Sequence, residues 1–280
     1  MRRGLKLGAM ALIAVWSGLP ILIVVLSSFK PPREILAFPP RFLFTPTLDN
    51  YRSLVTRWPE FFDAVGNSLF VTAGATILTV IATTLAGYVY ARVRSKRLAA
   101  TAFFMIVIRM VPPIVVTLPL FPVVNYLRLN DTHVVLILLY ATFFVSLNTW
   151  IMKAFIDQIP IELEEAAIID GAGVWQILRH VIVPLAAQGM IAASTFVLIF
   201  SWNEFLFAFI FTTTEAKTAP LIISEMVGAV DGVEWGVLFA AATLQLLPIL
   251  IFVIAVQRLS LIHISEPTRP RLVSRIPSSA

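Results

Sequence analysis

Not one cysteine occurs in the 280 residues, which excludes disulfides, thiolate metal sites and a cysteine nucleophile. Histidine is nearly as scarce. His133, His180 and His263 stand far apart and share no ligand spacing, so they suggest no metal site. Charge is the third shortage: Asp, Glu, Lys and Arg make up 13% of the chain, against about 25% in an ordinary globular domain. No Gly-x-x-x-x-Gly-Lys-Ser/Thr loop occurs, so this chain carries no P-loop for hydrolysing a nucleotide. What is abundant is apolar. Hydrophobic residues make up 59% and the mean hydropathy is +0.89. A single soluble core cannot hide that much apolar surface, so lipid must face much of it. The net charge of +5 then fits basic loops held in the cytoplasm better than nucleic-acid binding.

The chain is therefore expected to be all-α, a polytopic membrane protein. Its apolar stretches approach the roughly 20 residues that cross a bilayer, about six times over. The first runs from Leu7 to Leu26 behind Arg2, Arg3 and Lys6. It is too long for a signal peptide and no small-residue cleavage site follows, so it reads as an uncleaved anchor. The others are Ser68–Tyr90, Ala99–Val124, Val134–Met152, Ala186–Phe211 and Val237–Val256. Pro112, Pro113, Pro119 and Pro122 predict a kink in the third, with freed carbonyls that neighbours or water must satisfy. A long proline-rich loop, Ser28–Val65, and a shorter one, Thr212–Trp235, join spans on one side.

Basic residues set the orientation. An internal N-terminus puts Arg2, Arg3 and Lys6, the cluster Arg92, Arg94, Lys96 and Arg97, then Lys153, Arg179 and Arg258 in the cytoplasm. The external set is Lys30, Arg33, Arg41, Arg52, Arg57, Arg128 and Lys217, mostly in the one long loop. Both termini are thus expected inside. Residues 153–185 become a cytoplasmic loop, the least hydrophobic interior segment.

That loop reads as two short helices. Pro160 suits a first helical position, and Glu162, Glu164 and Glu165 complement the helix dipole in the first turns. Leu163, Ala166, Ala167 and Asp170 recur at helical spacing, with Gly171 as the stop. A second helix, about Val174–Val183, is expected to end before Pro184. Small Ala166 and Ala167 let another protein's surface approach.

The loop resembles the coupling signature of bacterial ATP-binding-cassette (ABC) importer permeases. That signature is Glu-Ala-Ala-x3-Gly-x9, a β-branched residue, x, an aliphatic residue, then Pro. Here it falls on Glu165, Ala166, Ala167, Gly171, Val181, Val183 and Pro184, the two valines being conservative departures. Ser27-Ser28-Phe29-Lys30 before proline, Asp49-Asn50-Tyr51, and Trp202-Asn203-Glu204-Phe205 are similar to the carbohydrate, maltose-type permeases. The resemblance covers about residues 5–258. It implies a coupling site at Glu165, Ala166, Ala167, Asp170, Gly171 and Pro184. It also implies a related second permease, two ATPase subunits carrying the ATP and Mg, and an extracytoplasmic solute-binding protein. This chain would bind no cofactor, and membrane lipid would surround it. The family's tail pattern is missing. Leu259–Ala280 has no glycine but three prolines and three arginines, and is either an unusual native tail or, the reading adopted, a non-native one.

Two charges fall inside predicted spans. Arg109 lies about twelve residues into the third, roughly 18 Å at 1.5 Å per residue, which is near the midplane of a 30 Å core. Arginine there is costly and is expected to face the bundle interior or a wet pathway, or to pair with carbonyls freed by the prolines. Glu204 lies late in the fifth span, beside Asn203, which suits a sugar hydroxyl, and Trp202, which suits a sugar face or the membrane interface. Arg109, Trp202, Asn203 and Glu204 are the candidate solute-pathway residues. Transport of a sugar or polyol is the leading expectation. Glycerol phosphate or a polyamine is the alternative solute. An intramembrane enzyme using Glu204 or His133 lacks a partner group at useful spacing, and would have no use for the 165–184 signature.

Overall fold

The computed structural model describes residues 2–264, apart from 40, 42 and 231. Among the described residues there are helices and no strands, as an apolar chain that must satisfy its backbone within lipid requires. α1, Arg2–Ser28, is an apolar rod lying along the last helix. The first long loop holds two short helices, α2 (Pro32–Ile35) and α3 (Asp49–Arg57). α4, Glu60–Arg92, begins well before the expected Ser68 and is the longest helix among the described residues.

The third span is not a kinked helix but a broken one. α5 (Lys96–Arg109) and α6 (Pro113–Tyr126) meet at 96°. Pro112 and Pro113 donate no N–H, and the residue before a proline is pushed out of the α region, so the hydrogen-bond ladder stops there. Pro119 and Pro122, by contrast, remain inside α6. α7, His133–Ile156, starts with the Thr132 hydroxyl accepting from the Val135 N–H at 3.3 Å.

The loop segment comes next: α8 (Glu162–Ile169) and α9 (Val174–Ile177), a π-helical turn over Leu178–Ile182, and α10 (Val183–Leu185). Helical structure therefore passes through Pro184 instead of ending before it. The widened π turn, a feature frequent at functional sites, precedes the proline. Pro160 lies just before the N-cap Ile161, not at a first helical position. The fifth span is also broken. α11 (Ala187–Trp202) and α12 (Leu206–Phe211) are separated at Asn203–Phe205. α13 (Ala219–Val227) sits in the second loop, and α14 runs Trp235–Ile264, six residues past the expected boundary at Arg258. Residues 265–280 of the atypical tail lie outside the described residues.

Among the described residues four helices (α1, α4, α7 and α14) are long and apolar enough to cross a membrane, and two bent pairs, α5 with α6 and Val174–Leu185 with α11 at 75°, raise the total to as many as six. The α4–α7 pair is the spine. The buried face of α4 recurs at helical spacing through Phe61, Ala64, Ser68, Val71, Ala75, Thr79, Thr83 and Gly87. These are mostly small residues, which let helix backbones approach in a membrane. A side chain at Gly87 would meet Met152 Cβ at 2.8 Å and the Lys153 N at 3.0 Å, so no larger residue fits at that crossing.

Hydrogen bonds gather the loops into two groups at opposite ends of the spine. At one end, Asn50 donates to the carbonyls of Ser28 and Lys30 at 2.8 Å each, and Tyr51 meets the Ser28 hydroxyl at 2.8 Å. The two motif segments of the first loop thus meet. At the same end, Asn67 holds the Glu215 and Lys217 carbonyls, and Asp131 accepts N–H bonds from Thr213, Thr214, Glu215 and Ala216. At the other end lie Arg92 and the 153–185 segment, joined by the contacts described below. The charge count had sorted the loops into the same two groups.

Candidate functional site

α8 ends in a Schellman motif. Gly171 N–H donates to the Ile168 carbonyl at 3.0 Å and Ala172 N–H to the Ala167 carbonyl at 2.9 Å. Gly171 has φ +86°, a left-handed conformation that disfavours a side chain. The expected glycine stop is therefore in place, and among the described residues a β-carbon there would meet nothing but the adjoining chain within 4 Å. α9 starts with the Gly173 N–H donating to the Gln176 side chain at 2.7 Å.

Around this turn the predicted coupling residues separate by direction. Glu165, Ala166, Asp170 and Pro184 are exposed, whereas Ala167 is half-buried against the chain's own cluster of Met152, Ile156, Ile177 and Ile182. Only one of the two alanines is thus left to a partner. Large apolar residues are exposed beside them: Ile169 at 86%, Trp175 at 67% and Val174 at 65%. Exposed apolar patches outside the spans are a feature of interaction surfaces. A cleft of about 260 Å³ opens between the two helices, lined by Asp170, Gly171, Gln176, Ile177, His180 and others.

The residues that fasten this element to the bundle carry no local sequence signal that identifies them. Glu164, which by position in sequence only complements the helix dipole, is buried. One of its carboxylate oxygens accepts from Arg92 Nε at 2.6 Å and the other from the Tyr88 hydroxyl at 3.0 Å. Arg92 also donates through Nη2 to the Ile159 carbonyl at 3.0 Å. Tyr88 and Arg92 stand at i and i+4 on α4, which is a legible same-face pair. Nothing local, however, connects them to a carboxylate 72 positions later.

The candidate solute-pathway residues are not brought into one pocket. Trp202 is 2% exposed and donates its indole N–H to the Gln245 carbonyl at 3.1 Å. Its ring is neither interfacial nor free to stack on a solute. Glu204 accepts from the N–H groups of Phe207 and Ala208, capping α12 across the break. Asn203 is exposed, with its amide donating to the Ile199 carbonyl at 2.8 Å. Arg109 closes α5 at the proline break. It is not paired with freed carbonyls: its guanidinium lies 5.3 Å from the Phe143 ring centre and 6.0 Å from that of Phe196, within cation–π range. Its buried Nη1 has no hydrogen-bond partner among the described residues.

With this geometry in place, comparison with known proteins is informative. Residues 83–261 match the family described as binding-protein-dependent transport system inner membrane component. The trehalose transport system permease protein SugB of Mycobacterium tuberculosis (strain CDC 1551 / Oshkosh) is 37% identical over 254 residues, covering 88% of this chain and 90% of the relative. The trehalose/maltose transport system permease protein MalG of Thermococcus litoralis is 29% identical over 260 residues, covering 92% and 93%. Among solved structures, a bacterial ABC transporter involved in the import of the acidic polysaccharide alginate matches with a TM-score of 0.76. Its identity is 19%, with 91% of this chain and 94% of that chain covered, a likeness of fold.

Proposed function

The chain belongs to the family of binding-protein-dependent transport system inner membrane components, membrane-spanning permease subunits of ABC importers, and from that premise we propose a division of labour for it. It forms half of a translocation pathway for a sugar or related polyol. Its partners are a related second permease, two ATPase subunits that hold ATP and Mg, and an extracytoplasmic binding protein that delivers the solute. The carbohydrate assignment rests on the trehalose and trehalose/maltose relatives. The coupling assignment rests on one observation: the 165–184 signature folds into a protruding two-helix element whose tip exposes Ile169, Val174 and Trp175. Both termini and Arg92–Arg97 lie in the cytoplasm in this reading, and the 259–280 tail plays no part.

The test is reconstitution. The permease, co-expressed with its partner permease and ATPases, is purified and placed in vesicles with the binding protein and labelled trehalose or maltose. Uptake that requires ATP and the binding protein is expected. Failure of any ATPase to co-purify would refute the coupling assignment. A second reading has its own support in Arg109, whose unpartnered Nη1 favours an anionic solute. Uptake of labelled glycerol phosphate in place of either sugar would decide for it.

A further inference from the structure

α8 is joined to α7 by the short turn 157–161, but no chain connection joins it to α4. What joins them is the contact among Arg92, Glu164, Tyr88 and the Ile159 carbonyl. The Arg92 and Glu164 side chains are 14% and 6% exposed. Every other ion pair among the described residues leaves both partners a quarter or more exposed. That difference has a mechanical meaning. An exposed pair separates into water at little cost. Separating an enclosed pair leaves a charge without a partner in apolar surroundings, which is strongly unfavourable. Both oxygens of Glu164 are held, and Arg92 reaches past it to the turn that follows α7. α4 and α7 are themselves locked at the Gly87 crossing.

We propose that Arg92, Glu164 and Tyr88 are positioning residues that make α4 move with the coupling helix. Displacement imposed on α8 by an ATPase then reaches the bundle as one rigid-body movement of α4, α7 and α8. This rests on the reading of 153–185 as the coupling element, and deepens it by naming where the force enters. The contact is a physical link between two elements, of the hydrogen-bonded, ion-paired kind that can carry energetic coupling over a distance.

The test uses the full reconstituted importer with Glu164→Gln, Arg92→Met and the double change Arg92→Gln/Glu164→Gln. The ATPases are expected to stay bound and ATP hydrolysis to stay within about twofold, while solute moved per ATP falls by about tenfold or more. Tyr88→Phe, which keeps the ion pair, should have a smaller effect. Each single change buries a lone charge and can lower the amount of inserted permease. In that event the double variant, which buries none, decides. Unchanged uptake per ATP in the double variant overturns the proposal. So does a parallel fall of uptake and hydrolysis in step with permease abundance, which is the mark of packing alone. If the unaltered chain holds no ATPases, it is the coupling assignment that fails instead.

Discussion

Gly171 separates what this chain does to itself from what it does to a partner. The residue sits at φ +86° and closes the Schellman turn after α8. A β-carbon in the left-handed region costs an ordinary residue about 1–2 kcal/mol, which is roughly a five- to thirtyfold loss of the closed turn. Asparagine and aspartate tolerate that region better than most. Among the described residues nothing but the adjoining chain lies within 4 Å of an added β-carbon, so internal crowding adds little. Gly171→Asn and Gly171→Asp therefore carry a similar, small backbone cost, and Gly171→Ala a larger one. What aspartate does beyond asparagine comes from its charge: a small cost, about 0.3–1 kcal/mol, against the α8 C-terminal dipole and the adjacent Asp170, and anything larger from charge pushed against a docked surface. The prediction is that Gly171→Asn keeps uptake within about threefold, whereas Gly171→Asp loses uptake and ATPase association by about tenfold or more. Pull-down of ATPase subunits from detergent-solubilised membranes measures the association, normalised to inserted permease, with uptake measured in the same cells. Normal transport and retained ATPases in Gly171→Asp would refute the docking argument. Equal losses in the asparagine and aspartate variants would assign the effect to the turn and refute it equally.

Single cysteines at Arg52 and Ser95 should label with an impermeant reagent from outside and inside respectively, and the reverse pattern overturns the orientation. Arg109→Met should cripple uptake at normal permease abundance if the guanidinium, whose Nη1 has no hydrogen-bond partner among the described residues, serves the pathway; full activity with methionine returns Arg109 to a packing role on Phe143 and Phe196. Asp131 is partly buried, which pushes its carboxyl upward, but the N–H groups of Thr213, Glu215, Ala216 and Thr214 outweigh this and hold it well below the usual carboxylate range. A depressed value means that the loop's stabilisation is present at neutral pH, begins to fade below the unfolded value of about 4, and is gone below the folded one. Protease cleavage within 212–218 should accordingly rise on acidification, and Asp131→Ala should show that cleavage already at pH 7. Identical cleavage of the two proteins at pH 7 would sink this account.

The membrane class, the helical fold and the two short helices of the 153–185 segment are legible in the residues because each rests on local or additive physics. Apolar stretches long enough to span lipid, basic residues sorted by loop, and the fixed spacing from Glu165 to Pro184 need no knowledge of distant contacts. The glycine at position 171 likewise announced a left-handed turn, and the turn is there. Tertiary structure decided whatever depends on which helix meets which. Trp202 could be read as interfacial from its position, yet α14 passes close enough to take its indole N–H at Gln245 and buries it. Glu204 reads as a charge facing a pathway until the break at Asn203–Phe205 turns it into the cap of α12. Glu164 and its neighbour Glu165 are chemically identical and adjacent in sequence. A helix turns about 100° per residue, and that rotation alone puts Glu165 outward and Glu164 against Arg92 of a helix far away in the chain. The sequence states that a carboxylate is present, and only packing states whose charge it answers.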